Sequence, residues 1–529
     1  MSGRVRKTVT AGAFVVVLVA LTNLYRSWLR DRTLFYDEWM YLEELADAGG
    51  WSNWVLAPMQ EHLTPVAKSI FVLNNVLFGY SGQAFTAVSL VLHLSFIASI
   101  CWFLRAASIG RDLVLVVALL LATTAAYPEV VIWSHDKLVL FFVGLFGALA
   151  LFLRAERDAM TGEGHGSLPL LSGLCCCMLL SMMSLGLGLF TATFFAVFAF
   201  VYRPRALLRG SYLAALLVAG FAFIALYVAF AHHGVSSDFE ARVGERWSLA
   251  ALAGAIRTSL FSIVFGSLLP LVHVHRRPPQ AWFSSGAAAL LLGGSLVTAA
   301  ALSLSLTRIA DHADGAQRPL GKTRTSIFVL GLTVVSVTSI SQNFYRARGT
   351  YAGLGFVLDW NRYAFLPCVG LILCLTAVCK RRCAVHSEPF QKSIAVAAVM
   401  AIVATFPSAV SEANVYQAYF FRNSRVKEIQ AAFEPLFGPH VWGGITDAVL
   451  PDIVIDEPLF VRPLRLSTYA RFHRPGLGTA IRFLSPAEFD RLAPEERRGI
   501  RDFIRGTPVL VALYGNASVV PRAIAEGAR

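Results

Sequence analysis

Asp37 and Glu38 stand side by side in the stretch LFYDEWMYLEELADAGGWSNW, residues 34–54, shortly after the first long apolar run of this 529-residue chain. A carboxylate held partly away from water resists ionisation and can then accept a proton from an attacking hydroxyl. Further along come Glu61-His62 and Pro65, then Tyr127-Pro128-Glu129 with Trp133, Asp136 and Lys137. A last group holds Arg346, Arg348, Asp359, Arg362 and Tyr363. Cations suit a different task, holding negative charge as it builds up on a departing phosphate. A carboxylate set and an arginine set at one membrane depth would supply both halves of a displacement. Trp39, Trp51, Trp54 and Trp133 suit a membrane–water border, where indoles collect, and their faces also stack on sugars.

The elements that must position these groups are set by composition. Hydrophobic residues make up 56% of the chain and charged residues only 15%, with a mean hydropathy of +0.60. A soluble chain normally carries about a quarter charged residues, so this is a multi-pass membrane protein. The net charge of +13 does not point to nucleic acid. Residues 412–529 hold 15 Lys/Arg against 13 Asp/Glu, so the excess lies in the apolar part, at the ends of apolar runs. The eight cysteines lie in or beside those runs, which argues against a disulfide framework.

Arg4, Arg6 and Lys7 precede the first run, which is long and lacks a clear cleavage site; it reads as an uncleaved span with its N-terminus in the cytoplasm. Runs at about 8–25, 85–104, 112–127, 138–153, 169–184 and 188–202 make six crossings. Arg105 and Arg111, Arg154 and Arg157, and Arg203, Arg205 and Arg209 mark the inner ends. Spans follow at 211–231, 283–307, 325–342, 363–379 and 392–410. The basic loops 308–324 and 380–392 are both inside only if 247–272 does not cross, which gives eleven spans rather than twelve. The segment 65–82, with Asn74 and Asn75, reads as a helix on the membrane surface. The expected fold is an all-α polytopic domain, 1–411, with a first extracytoplasmic loop at 26–84. A small extracytoplasmic α/β or α+β domain, 412–529, completes it. In that tail DIVIDEPLFV and TPVLVALYG look like strands, and SPAEFDRLAPEERRGIRDFIRG looks like a helix opened by Ser485 with Glu488 three residues on.

The membrane half resembles the GT-C superfamily of polytopic glycosyltransferases, which use polyprenyl-phosphate-linked sugars, among them protein O-mannosyltransferases and lipid A aminoarabinose transferases. The resemblance is carried by Asp37-Glu38 after span one, by GGWSNWVLAPMQEHLTPVAK with His62 and Pro65, and by His93 in the second span. YPEVVIW and the DWNRYAFLP entry to a late span complete it. It implies an inverting transfer of a sugar from a polyprenyl-phosphate donor to an extracytoplasmic acceptor, at the cytoplasmic (inner) membrane. Asp37 would be the general base or a metal-binding carboxylate, with Glu38 its partner and Glu129 or Asp136 the second-loop acid. Arg362, with Arg346 or Arg348 and Lys137, would hold the lipid phosphate, and His62, Trp39, Trp133 and Tyr363 would line the substrate. The metal question stays open; a divalent ion (Mg or Mn) would be bridged by Asp37 and Glu129. The acceptor is not named by any motif. Two alternatives stand beside this reading, a transporter or flippase of lipid-linked saccharides and a catalytically silent scaffold. Glu43, Glu44 and Asp47 read as solvated loop acids. His93 reads as a helix–helix hydrogen bond. The spacing of His232, His233, His273 and His275 is too loose for a metal set.

Overall fold

The computed structural model describes residues 63–78, 82–123, 137–161, 168–184, 188–204, 206–231, 318–346, 361–385, 396–404, 448–455, 464–465 and 481–514. It also describes most of 41–57 and scattered positions elsewhere. These residues are mostly helical, with few strands. In chain order the helices are α1 (Trp51–Leu56), α2 (Pro65–Phe78), α3 (Gly82–Ala106), α4 (Arg111–Thr123), α5 (Lys137–Thr161) and α6 (Leu168–Met182). There follow α7 (Leu189–Tyr202), α8 (Ala206–Ala231), α9 (Arg318–Arg346) and α10 (Asn361–Val385). Among the described residues three helical stretches are long and apolar enough to cross a membrane, Gly82–Ala106, Leu138–Thr161 and Leu208–Ala229. The spans expected at 8–25 and 283–307 and the ambiguous 247–272 lie wholly or largely outside the described residues. The basic loops expected at 308–324 and 380–392 are shortened, because Arg318, Lys322 and Arg324 belong to the start of α9 and Lys380, Arg381 and Arg382 to the end of α10.

The chain divides into two compact units. The first comprises 1–26, 56–68 and 89–414; the second comprises 27–55, 69–88 and 415–529. In the first, α5 is the central helix, with 83% of its apolar window inside the protein against 22% for α8. An aromatic file fills the space around it. Phe96 of α3 meets Phe142 and Phe146, Phe103 meets Phe146 and Phe198, and Phe365 of α10 meets Phe96 and Phe142.

Helices in lipid gain little from hydrophobicity against each other, so they associate through close packing at small residues. Gly144 of α5 lets the backbone of α6 approach at Cys177 and Ser181, and Gly147 makes room for the Cys177 side chain. Gly331 of α9 and Gly370 of α10 face each other backbone to backbone. Ser181 adds a hydrogen bond, donating to the Phe141 carbonyl at 2.8 Å.

The basic residues at one end of this unit cap helices. Arg105 donates to Ile109 O at 3.0 Å, Arg157 to Ala106 O at 2.7 Å and Arg209 to Pro204 O at 2.9 Å. Each satisfies a carbonyl that its helix end or turn leaves free, and each sets a cation against the negative end of a helix or beside it. Ser108 and Arg203 turn the chain there with positive φ of 57°. α5 runs two turns past the expected 138–153, and Arg154 and Asp158 pair i,i+4 along that extension at 3.8 Å.

The tail carries a parallel pair, β1 (Ala448–Pro451) with β4 (Ile481–Leu484), and a short antiparallel pair, β2 (Val454–Ile455) with β3 (Leu464–Arg465). Asp452 leaves β1 buried, and its carboxylate accepts from Ser467 N at 2.9 Å and Ser467 Oγ at 2.5 Å. Three helices follow, α11 (Pro486–Arg491), α12 (Pro494–Gly506) and α13 (Pro508–Tyr514). Two tail expectations are corrected. The stretch expected as one helix is two, since Pro494 cannot donate to a continuing ladder and instead opens α12. The β-like TPVLVALYG folds as α13. Pro508 starts it, and buried Tyr514 donates its hydroxyl to Pro451 O at 2.6 Å, so a tertiary contact overrides strand propensity.

The Ser485–Glu488 capping box forms as read. Glu488 N donates to Ser485 Oγ at 3.3 Å, and Ser485 N donates to Glu488 Oε2 at 2.8 Å. The Ser485 hydroxyl and then its N–H hold the Glu488 carboxyl below its ordinary value of 4.5. A depressed carboxyl stabilises the folded state at pH above the ordinary value and loses that effect as pH falls through the folded one. The Glu488→Gln variant is therefore expected to melt lower than wild type at pH 7, and the gap should close on acidification below the carboxylate range. Thermal unfolding of the full-length protein in detergent at both pH values checks this; a gap that widens in acid would contradict it.

Candidate functional site

Three of the cations expected to hold phosphate fall at one end of the first unit by backbone position. α3 and α5 run in the same direction, because Phe96 meets Phe142 while Arg157 reaches Ala106 O. Phe365 meets Phe142, and α10 stays buried in the same core through Ala377, so α10 runs alongside α5. α9 is antiparallel to α10. Gly331 faces Gly370, and Cys374 Sγ lies 3.6 Å from Phe328 O.

Lys137 opens α5 and Arg362 and Tyr363 lie in the first turn of α10, within about 8 Å of helix rise from the Phe142–Phe365 contact. Arg346 closes α9 at the same end, roughly 10 Å farther along the axis than Arg362. The capping arginines 105 and 157 stand at the opposite end. Arg105, Arg157 and Arg209, which donate to carbonyls, thus stand at one end, and Lys137, Arg346 and Arg362 stand by backbone position at the other. Arg348 lies outside the described residues. So do Asp37, Glu38, Trp39, His62, Glu129, Trp133 and Asp136.

The second unit holds the surroundings of the acidic motif from Tyr41 onward. Tyr41 is buried and meets Trp54 edge-on at 5.6 Å and Phe71 of α2 at 5.3 Å. Trp54 meets Phe71 at 5.6 Å, and Phe71 meets Phe85 of α3 at 5.2 Å. Trp54 also donates its indole N–H to Glu44 at 3.2 Å. Two sequence expectations change here. Glu44 is half-buried and bonded rather than solvated, and Trp54 is 2% exposed, a core residue rather than a border residue. Trp51, on the other side of short α1, is 64% exposed and fits the border role.

α2 is turned inside out relative to a helix of a soluble protein. Leu73, Val76, Leu77 and Phe78 are exposed, while Lys68, Phe71, Asn74 and Asn75 are buried. A helix bordered by hydrocarbon takes this arrangement, with its polar face kept against protein. In the first unit, Lys68 Nζ donates to Ala57 O at 2.8 Å. His93 is buried and donates from Nε2 to Leu121 O at 3.3 Å, the helix–helix bond expected of it, between α3 and α4.

Among the described residues no three His, Cys, Asp or Glu side chains are grouped as metal ligands. Sequence reasoning passed over Lys68, Tyr41 and the roles of Asn74 and Asn75. Compared with known protein families and with curated proteins, the chain matches none.

Proposed function

We propose that this protein is a GT-C-type membrane glycosyltransferase with eleven spans, moving a sugar from a polyprenyl-phosphate donor to an acceptor at the outer face. The reading rests on the Asp37-Glu38 motif after the first apolar run. It is supported by one structural observation, the backbone gathering of Lys137, Arg346 and Arg362 at the end of the bundle opposite the capping arginines. On this reading that end is the outer one, so positive charge on the unfavoured side has a use in binding an anionic headgroup.

In the proposed reaction Asp37 takes the proton of the acceptor hydroxyl, whose oxygen bonds to the anomeric carbon from the face opposite the phosphate. The bond from that carbon to the phosphate oxygen breaks, and the lipid phosphate leaves with the electron pair. Arg362, Arg346 and Lys137 hold its growing charge, and Glu38 and Glu129 support Asp37. The anomeric configuration inverts.

The test is the pool of polyprenyl-phosphate sugars in cells, measured by lipid mass spectrometry. Deletion of the gene is expected to raise one such donor, and wild-type protein to clear it. Unchanged pools would overturn the transferase reading.

A further inference from the structure

Asn74 and Asn75 are 2% and 8% exposed, and among the described residues neither side-chain amide has a hydrogen-bond partner at either its oxygen or its nitrogen. Buried polar groups are bonded in the great majority of native structures, and each exception calls for a cause. Four such atoms on adjacent residues, on the one polar face of an otherwise apolar helix, make this a strong exception. A pair of leucines would fit the apolar character of α2 and carry no such cost.

We propose that Asn74 and Asn75 bind hydroxyl groups of the transferred sugar, a subsite that rests on the glycosyltransferase reading. An amide offers a donor and an acceptor side by side, and each sugar hydroxyl needs both. Two adjacent residues on a helix present two such amides next to each other, matching neighbouring hydroxyls on a ring. One turn back, Phe71 joins Tyr41, Trp54 and Phe85 in a continuous aromatic cluster. That cluster is closed core that fixes the helix, and the neutral amides suit a polyhydroxylated, uncharged ligand. Phosphate would call for cations, which the asparagine pair does not offer, and a hard metal ion would call for carboxylates. Tyr41, four residues after Asp37 in the sequence, packs directly on Phe71.

The experiment uses full-length protein in detergent and ligand-dependent thermal stabilisation to obtain apparent affinities. The probes are a short-chain polyprenyl phosphate, bare and carrying mannose, glucose, galactose or arabinose. Wild type is expected to bind one sugar-bearing form roughly tenfold more tightly than the bare lipid, the worth of one or two neutral hydrogen bonds. Asn74→Leu and Asn75→Leu should lose that preference, keep the affinity for bare lipid, and melt no lower than wild type.

A leucine variant that keeps the sugar preference would overturn the subsite and leave the amides as holders of buried water only. Equal binding of bare and sugar-bearing lipid by wild type would also overturn it, while the lipid-phosphate part of the function stands. Wild type that binds neither would bring down both. Where leucine misfolds, alanine at the same two positions gives the same readings.

Discussion

Asp37→Asn is expected to abolish sugar transfer while the protein still reaches the membrane and melts as wild type does. Removing a general base lowers turnover by roughly a hundred- to ten-thousand-fold, and asparagine keeps the size of the side chain while losing its basicity. Tyr41, four residues later in the sequence, is held by Trp54 and Phe71, so an Asn variant that melts as wild type does would report chemistry rather than unfolding. Glu38→Gln is expected to lose less.

Glu44→Gln provides the contrast. Its carboxylate accepts from Trp54, a glutamine oxygen can accept the same bond, and turnover should survive. The assay is donor clearance in deletion cells carrying each variant at matched membrane levels. Clearance by the Asn variant at the wild-type rate would sink the assignment of Asp37 and leave a transporter or a silent scaffold as the better account.

Gly331→Val and Gly370→Val are expected to be the most damaging substitutions in the membrane helices. A Cβ at Gly331 would lie 2.6 Å from Gly370 O, and one at Gly370 would lie 2.7 Å from Gly331 O. In both cases the obstacle is backbone, which cannot rotate away as a side chain can. The helices must move apart, and the loss of packing is about 3 kcal/mol on the scale of overpacked cores. The same holds for Gly144→Val, whose Cβ would sit 2.5 Å from Cys177 O and Ser181 N.

Gly220 on α8 is the control. Nothing lies within 4 Å of a Cβ built there, so Gly220→Val should alter little. Thermal unfolding of the detergent-solubilised protein separates the two cases. Equal melting of the Gly331 and Gly220 variants would show that the α9–α10 crossing tolerates separation.

The consequence for function runs through the same helices. α9 and α10 carry Arg346 and Arg362 at adjoining ends, so the glycine contact sets how those two ends stand to one another. A shift there would reach the phosphate-holding group without touching any charged residue. Gly331→Ala, with a smaller side chain, is the variant in which this would show as weakened donor binding before the fold is lost.

What the sequence determined by itself is the set of apolar helices and several of their ends. Hydropathy summed along a helix answers whether water or lipid surrounds it, and it located α3, α6, α7 and α8 to within a few residues. The Ser485–Glu488 cap was legible too, because it involves only residues within one turn. Only the tertiary structure decided what each side of a helix faces. Trp51 and Trp54 are three residues apart and chemically alike, yet one is exposed and the other is the centre of an aromatic cluster. In α2 the packing turns Asn74 and Asn75 inward and Leu77 outward. The reason is physical. Composition fixes the free energy of leaving water, whereas the choice between lipid and protein depends on partners distant in the chain, and so does the gathering of Lys137, Arg346 and Arg362 at one end.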